Sequence, residues 1–246
     1  MPNIDNVMDL MVPIEGGTVE LRDYRNNHKW LSSDYTLSDP GRGSDREVVT
    51  WKATIEPFYV MKVPVTRHWY HNVMKLEAVE THAQELPMTD VSWMDAIVFC
   101  NELSRRLGRT ECYTITSDSE STVFNEEANG FRLLTDAEWQ YACKAGTKGY
   151  RYDAIDKIAW YRDNSNGQAQ PVGKLLPNPW GLYDMIGNVW EWCWDLYDVE
   201  RYGNYRVFRG GSWAEVENNC GSTVRRKSMP TFKIEDLGFR VAISHM

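Results

Sequence analysis

The segment 181–240 constrains the fold of this chain more than any other part of the sequence. Its glycines and tryptophans include Gly187, Trp190, Trp192, Trp194, Gly210, Gly211 and Trp213. Glycine reaches backbone conformations that strain other residues, and tryptophan fills large irregular spaces while its indole N–H needs an acceptor. A segment this dense in both residue types is not typical of a helical core. It predicts an irregular fold that is pinned by aromatic side chains.

The composition limits the classes of protein to which this chain of 246 residues can belong. Apolar residues make up 42% and charged residues 25%, as in ordinary soluble domains. The formal net charge is −8 and there is no long basic run, which argues against nucleic acid as a partner. No apolar stretch approaches the ~20 residues that span a bilayer. We therefore expect a globular protein without a membrane-spanning segment.

The N-terminal sequence bears on the location of the protein. It lacks a basic region followed by a long apolar run, which is the pattern of a secretory signal. We therefore expect no signal peptide in this chain. The expected location is the cytoplasm, or the surface of a virion or a cell.

Five cysteines are spread irregularly along the chain, and their spacing is typical of neither a disulfide framework nor a zinc site. Cys100, Cys143 and Cys193 are interpreted as buried free thiols. Whether Cys100 and Cys112 form a disulfide stays open, because the sequence does not give the distance between them. Cys220 is interpreted as a small buried residue, with a functional thiol as the alternative.

Capping signals predict three helices. Thr66 and Ser92 each precede a helical pattern, and Thr135 with Glu138 has the spacing of a capping box. The remaining apolar runs are short and read as strands of an irregular antiparallel β core. The sequence therefore predicts an α+β fold with two or three helices. No repeat and no linker divides the chain, so residues 1–246 are predicted to form one domain.

Several ordered blocks carry a family resemblance. GLYDMIGNVWEW, RGGSW and LGFR, which begin at Gly181, Arg209 and Leu237, resemble signature segments of the formylglycine-generating enzyme family, also called sulfatase-modifying factors. The resemblance extends through MVPIEGGTVEL, PFYVMKVPVT, VSWMDAIVFCNELS and GFRLLTDAEWQYACKAG and so covers nearly the whole chain. It implies the formylglycine-generating-enzyme variant of the C-type lectin fold.

The resemblance also implies a chemistry that this sequence retains only in part. Enzymes of the family oxidise a cysteine of a sulfatase peptide with oxygen and Cu(I), which two cysteines hold shortly after the RGGS block. In register with that block, the second cysteine falls on Cys220 and the first on Glu215. Ser212 matches the active-site serine of the family. Because soft thiolates select Cu(I) and a carboxylate is a hard ligand, we expect copper to be absent.

A structural calcium ion is a further implication of the resemblance. At the matching positions of the GNVWEW block, Asp184 and Glu191 would supply side-chain oxygens, and Gly187 and Val189 would supply carbonyl oxygens. A mixed shell of carboxylate and carbonyl oxygens suits Ca²⁺. The alternative is that the two carboxylates accept hydrogen bonds from N–H groups of the turn.

The segment 213–236 lies between the RGGSW and LGFR blocks, where a lectin-type fold presents a ligand surface. The surrounding frame, RVFRGGSW…NNC…LGFRVA, also resembles the variable proteins that retroelements diversify in this same segment. Charged and aromatic side chains on a rigid frame are typical of recognition. The predicted ligand-binding residues are Trp213, Glu215, Glu217, Arg226, Lys227, Met229, Phe232 and Ile234. The alternative is that these are ordinary loop residues.

Two functions from different classes agree with these patterns. The first is a non-catalytic protein that binds a protein or another surface ligand through the segment 213–236, in the manner of a retroelement-diversified variable protein. The second is a copper-dependent formylglycine-generating oxidase that acts on a sulfatase cysteine through Cys220 and Ser212. The carboxylate of Glu215 favours the first function. Neither the ligand nor the oligomeric state can be read from the sequence.

Overall fold

Three helices begin where the sequence predicts them. The computed structural model describes residues 4–23, 49–116 and 122–244. Its helices are α1 (Arg67–Met74), α2 (Trp93–Arg106), α3 (Asp136–Lys144), and the single turns α4 (Ile155–Ile158) and α5 (Val199–Tyr202). None of the helices within these ranges is long and apolar enough to cross a membrane.

Side-chain caps explain where the three longer helices start. The Thr66 hydroxyl accepts a hydrogen bond from the N–H of Trp69 at the start of α1. A capping box of Thr135 and Glu138 opens α3, as predicted. Ser92 forms a second capping box at α2, in which Asp95 returns the hydrogen bond to the Ser92 N–H. These caps satisfy backbone N–H groups that the first helical turn leaves without partners.

The strands are short and form two larger sheets. They are β1 (Met11–Ile14), β2 (Gly17–Asp23), β3 (Val49–Ile55), β4 (Phe58–Met61), β5 (Tyr113–Thr114), β6 (Val123–Phe124), β7 (Phe131–Leu133), β8 (Trp190–Leu196), β9 (Arg206–Arg209), β10 (Arg225–Ser228), β11 (Leu237–Phe239) and β12 (Val241–Ser244). The two four-stranded sheets have the orders β1-β4-β12-β7 and β10-β9-β8-β11. Separate hairpins pair β2 with β3 and β5 with β6.

The fold class is α+β, as predicted, but one strand pair differs from the predicted antiparallel core. β11 runs parallel to β8, with Leu237 opposite Trp190, whereas the other pairs in the described sheets are antiparallel. The chain continues from β11 almost directly into β12 of the other sheet. The direction of β11 is therefore tied to that of β12, which lies antiparallel between β4 and β7.

A buried ion pair stabilises the point where the chain passes from β11 in one sheet to β12 in the other. Arg240 joins β11 to β12, and its guanidinium donates to the Glu191 carboxylate at 2.7 Å. The same guanidinium donates to the carbonyl oxygens of Met61 and Tyr183. Both charged side chains are almost fully buried, so each needs the other, because an unpaired buried charge is very costly. The LGFR block thus fixes the closing strands rather than forming a surface.

Tryptophan side chains tie the helices to β8, as the dense Trp content predicts. The indole N–H of Trp93 in α2 donates to the Cys193 carbonyl, and that of Trp139 in α3 donates to the Glu191 carboxylate. The Trp192 indole donates to the Val91 carbonyl before α2. β8 is therefore anchored on both sides. It provides a rigid base for the neighbouring strands β9 and β10.

The cysteines agree with the interpretation of buried thiols. All five cysteines are buried, and none of them forms a disulfide. This includes Cys100 and Cys112, whose pairing the sequence leaves open. Burial raises the pKa of the Cys100 and Cys112 thiols, and of the Cys193 thiol. These thiols are therefore protonated at neutral pH and act as small apolar side chains.

Candidate ligand-binding site

A double glycine brings the candidate site together after β9. Gly210 and Gly211 have φ values of +101° and +84°, which lie in a backbone region that residues other than glycine rarely adopt. A Cβ atom on Gly211 would lie 2.7 Å from both the Asn219 carbonyl oxygen and the Cys220 Sγ atom. The glycine therefore permits a close approach between the RGGSW block and the short 3-10 turn Glu217–Asn219. This approach leaves the Cys220 Sγ atom 3.8 Å from the Ser212 carbonyl oxygen.

Cys220 does not carry a reactive thiolate. Its side chain is fully buried, and the thiol donates to the Ser212 carbonyl oxygen at 3.8 Å. Burial, with a smaller contribution from the negative charge of Glu215, raises the pKa of the Cys220 thiol to about 12. Because the thiolate is the form that binds metals, Cu(I) would have to displace the thiol proton to bind here.

The Glu215 carboxylate is already occupied by hydrogen bonds. It accepts from the Asn219 side-chain amide at 2.7 Å and from the Arg226 guanidinium at 3.3 Å. Glu215 therefore links the 3-10 turn to β10 and balances a cation of that strand. The resemblance implies a Cu(I)-binding thiolate at this position, and Glu215 makes these structural contacts instead.

Ser212 is an internal residue rather than an exposed one. Its hydroxyl donates to the Asp236 carboxylate at 2.5 Å, and both side chains are buried. Burial raises the pKa of Asp236, and the hydrogen bond from Ser212 partly opposes this shift. The pair joins the start of the segment 213–236 to its end. No local sequence pattern pointed to Asp236, because its partner Ser212 lies 24 residues away.

The predicted ligand-binding residues fall into two groups. Glu217, Met229 and Ile234 are exposed, with Met229 at 49% and Ile234 at 40% of their full accessible area. The half-buried residues are Trp213, Glu215, Arg226, Lys227 and Phe232. Phe232 also packs against the hydrophobic core, so the expectation that it points freely outward is only partly correct. Val216, at 40%, is a further exposed apolar residue of the segment.

The cations of β10 rest on aromatic rings. The Arg226 guanidinium lies 5.1 Å from the centroid of the Trp190 ring. The Lys227 ammonium lies 4.1 Å from the Tyr202 ring and 4.7 Å from the Tyr197 ring. Attraction between a cation and the face of an aromatic ring restricts both side chains. The two tyrosines lie between β8 and β9, outside the predicted segment, and no pattern in the sequence linked them to Lys227.

The predicted calcium ligands differ in how freely they can accept a metal ion. Asp184 is buried, has a φ of +52°, and accepts hydrogen bonds from the Gly173 N–H and the Asn188 amide. No cation pairs with its carboxylate among the described residues, and burial raises its pKa to about 6. A buried carboxylate without a counterion is suited to a cation. The oxygens of Asp184 therefore fit the predicted role.

Glu191 does not fit that role in this arrangement. Its carboxylate oxygens accept from the Arg240 guanidinium and from the Trp139 indole. A guanidinium beside the carboxylate would also repel a divalent cation. No group of three or more His, Cys, Asp or Glu side chains in the described ranges could hold a metal ion. The calcium prediction therefore depends on Asp184 and on the carbonyl oxygens of Gly187 and Val189.

Comparison with protein families agrees with the blocks identified in the sequence. The model of the sulfatase-modifying factor enzyme 1-like domain matches residues 2–245. The chaperone protein LppX of Paenibacillus barcinonensis is 31% identical over 253 residues, which cover 87% of this chain and 90% of LppX. The formylglycine-generating enzyme of Mus musculus is 27% identical over 198 residues. That match covers 67% of this chain and 46% of the mouse enzyme.

A solved structure extends the likeness to the whole fold. Treponema denticola variable protein 1 is 27% identical and superposes with a TM-score of 0.78, covering 96% of this chain and 95% of that chain. The expected resemblance to variable proteins of this fold is therefore confirmed.

Proposed function

This chain belongs to the sulfatase-modifying factor family, whose model covers nearly its whole length, and we propose that it is a non-catalytic ligand-binding member. Its ligand surface lies in the segment 213–236 and is carried by the sheet that ends in β10. The observation that carries the proposal is the state of the two positions where the family holds Cu(I). One is a carboxylate engaged with Asn219 and Arg226, and the other is a fully buried thiol.

The exposed apolar side chains of the segment support a binding role. Val216, Met229 and Ile234 each expose 40% or more of their accessible area. They share the segment with the cations of β10, which the Trp190 and Tyr202 rings hold in place. Apolar side chains among restrained polar groups are typical of protein-binding surfaces. The expected ligand is therefore a protein surface.

The relatives support the same class of function. LppX is named a chaperone protein, and it matches this chain over most of both lengths. Treponema denticola variable protein 1 is named as a variable protein on the same fold. Whether the segment 213–236 is diversified in this chain is a separate question, which comparison of sequences from neighbouring strains would answer.

A copper titration tests the absence of oxidase chemistry. Wild-type protein is titrated with Cu(I) against a competing chelator, beside the variants Glu215→Cys and Glu215→Gln. We expect weak binding by wild type and at least about a tenfold gain in affinity for Glu215→Cys, because a second soft ligand completes the pair. Glu215→Gln removes the charge without adding a thiol, and it should show no gain.

Two outcomes of this titration would count against the proposal or its register. Tight stoichiometric Cu(I) binding by wild type would restore the oxidase as the favoured function. An equal affinity for Glu215→Cys and Glu215→Gln would mean that position 215 does not lie beside Cys220 in the way that the register requires.

A further inference from the structure

Among the described strands, β10 forms one edge of the sheet that carries the proposed ligand surface. In the order β10-β9-β8-β11, its neighbour is β9, to which it pairs from Arg225 to Ser228. Within the described parts of the chain, its backbone makes no hydrogen bond to any other segment. An unpaired row of backbone N–H and C=O groups is a template for a strand from another chain.

The charge on this edge selects the kind of strand that can join it. β10 carries three successive cations, Arg225, Arg226 and Lys227, in a chain whose formal net charge is −8. Arg225 is paired with Asp136 at 2.7 Å, and Arg226 with Glu215 at 3.3 Å. Lys227 has no carboxylate within ion-pair distance among the described residues. Its charge is therefore left for a partner to neutralise.

The geometry of β10 also places this cation for use by a ligand. Arg225 and Lys227 both lie over the Tyr197 ring, whereas Arg226 lies over Trp190, as the alternation of side chains along a strand requires. Tyr197 and Tyr202 hold the Lys227 ammonium from two sides, so little side-chain freedom remains to be lost on binding. Because a strand presents every second residue to one face, an added strand would offer Lys227 alternate side chains.

We propose that β10 binds an extended acidic segment of a protein partner by strand addition, with a partner carboxylate on the Lys227 ammonium. This inference rests on the proposed binding function and names the class of its partner. The backbone of the partner would hydrogen-bond to the free edge of β10. Its alternate acidic side chains would face Lys227.

Hydrogen exchange on the whole protein tests the mode of binding. The probe is a short synthetic peptide of alternating Glu and Val residues, and the control peptide alternates Lys and Val. The N–H groups of β10 that face away from β9 should exchange freely in the unliganded protein. We expect the acidic peptide to protect these N–H groups, since strand addition gives them partners. The basic peptide should not protect them.

Charge reversal tests the role of Lys227. Lys227→Glu should weaken binding of the acidic peptide by at least about tenfold, because it sets like charges against each other. Lys52→Glu makes the same change in net charge on β3, in a different sheet, and should alter the affinity by less than about twofold.

Several results would overturn the strand-addition proposal. These are no protection of β10 by the acidic peptide, equal protection by the basic peptide on wild-type protein, and equal effects of Lys227→Glu and Lys52→Glu. If the acidic peptide does not protect β10, the cations of β10 serve only to prevent other strands from pairing with this edge. The copper titration does not involve Lys227, so the proposed function and the strand-addition proposal can fail separately.

Discussion

Asp184 and Glu191 are two buried carboxylates of one turn region, and they differ in how their negative charge affects the stability of the folded state. Glu191 is neutralised by Arg240, so its charge contributes to a stable ion pair. Asp184 has hydrogen-bond donors but no counterion among the described residues, and burial raises its pKa to about 6. The ionised form of Asp184 is therefore a cost to the folded state unless a cation binds.

The variant Asp184→Asn should stabilise the calcium-free protein at pH 7. An aspartate in an unfolded chain has a pKa of about 3.9, so the folded state binds the Asp184 proton more tightly, and stability falls as pH rises from about 4 to about 6. The amide avoids that cost and still offers the Gly173 N–H an acceptor. The expected gain is up to about 3 kcal/mol, since one pKa unit is worth about 1.36 kcal/mol.

Urea denaturation at pH 7 and pH 4 measures this difference, which should nearly vanish at pH 4. Burial, together with the nearby Asp136 charge, also raises the pKa of Asp195 to about 6. Asp195 is present in both proteins, so its effect on stability cancels in the comparison. A variant that is less stable than wild type at both pH values would contradict the account of Asp184.

The same two proteins, wild type and Asp184→Asn, also test whether Ca²⁺ binds at Asp184. An ion at a hundredfold excess over its Kd adds about 2.7 kcal/mol. Wild type should gain more from Ca²⁺ than Asp184→Asn, and equal gains would place the ion elsewhere.

Glu215 and Cys220, at the predicted copper-binding position, show how much a sequence predicts about individual residues. The register after the double glycine was sufficient to single out Glu215 and Cys220, and Gly211 permits a close approach to Asn219 and Cys220 in this segment. The partners of these residues were not predictable. Arg226 and Asp236 reach the site only through the pairing of β10 with β9 and of β11 with β8. Contacts of this kind depend on the whole fold.

At the scale of elements, the segment 213–236 divides into a surface and a frame. Ile234 and Met229 are exposed, whereas Phe239 in the adjoining strand β11 is fully buried and contacts the Phe99 ring edge to face. Phe232 lies between these cases, because it is half-buried against the core. A change in this segment can therefore affect recognition, stability or both, according to the side chain.

Alanine variants separate the surface from the frame. Ile234→Ala and Met229→Ala should change the free energy of unfolding by no more than about 0.5 kcal/mol, as exposed positions generally do. Phe239→Ala, the matched change in the core, should cost about 3 to 5 kcal/mol. Urea denaturation midpoints give the comparison. A loss of about 3 kcal/mol or more for Ile234→Ala would mean that this side chain belongs to the core and not to a ligand surface.

The helices were more predictable than the strands because their signals are local. Thr66, Ser92 and Thr135 cap the three longer helices as expected, since each cap bonds to an N–H group only three residues away. The parallel pairing of β11 with β8 was missed. It depends on the route of the chain between two sheets, and the periodicity of Leu237–Phe239 contains no information on that route.

At the scale of the whole molecule, contacts away from Glu215 and Cys220 hold the frame that carries the segment 213–236. The ion pair between Arg240 and Glu191 and the anchoring tryptophans hold β8, and β8 holds β9 and β10. That frame does not require copper, since its contacts are made by residues outside the copper position. Under the proposed function, the thiolate pair is lost while the frame that carries the segment 213–236 is kept.

Peptide oxidation is the most direct test of that account. Wild-type protein is incubated with Cu(I), oxygen and a peptide that contains the sulfatase motif Cys-x-Pro-x-Arg, and the peptide is analysed by mass spectrometry. The account predicts that the peptide cysteine is not converted to the aldehyde, because Glu215 offers a hard carboxylate where the resemblance implies a thiolate for Cu(I). Repeated turnover to formylglycine, absent from reactions without the protein, would contradict the claim that this family member is a binding protein.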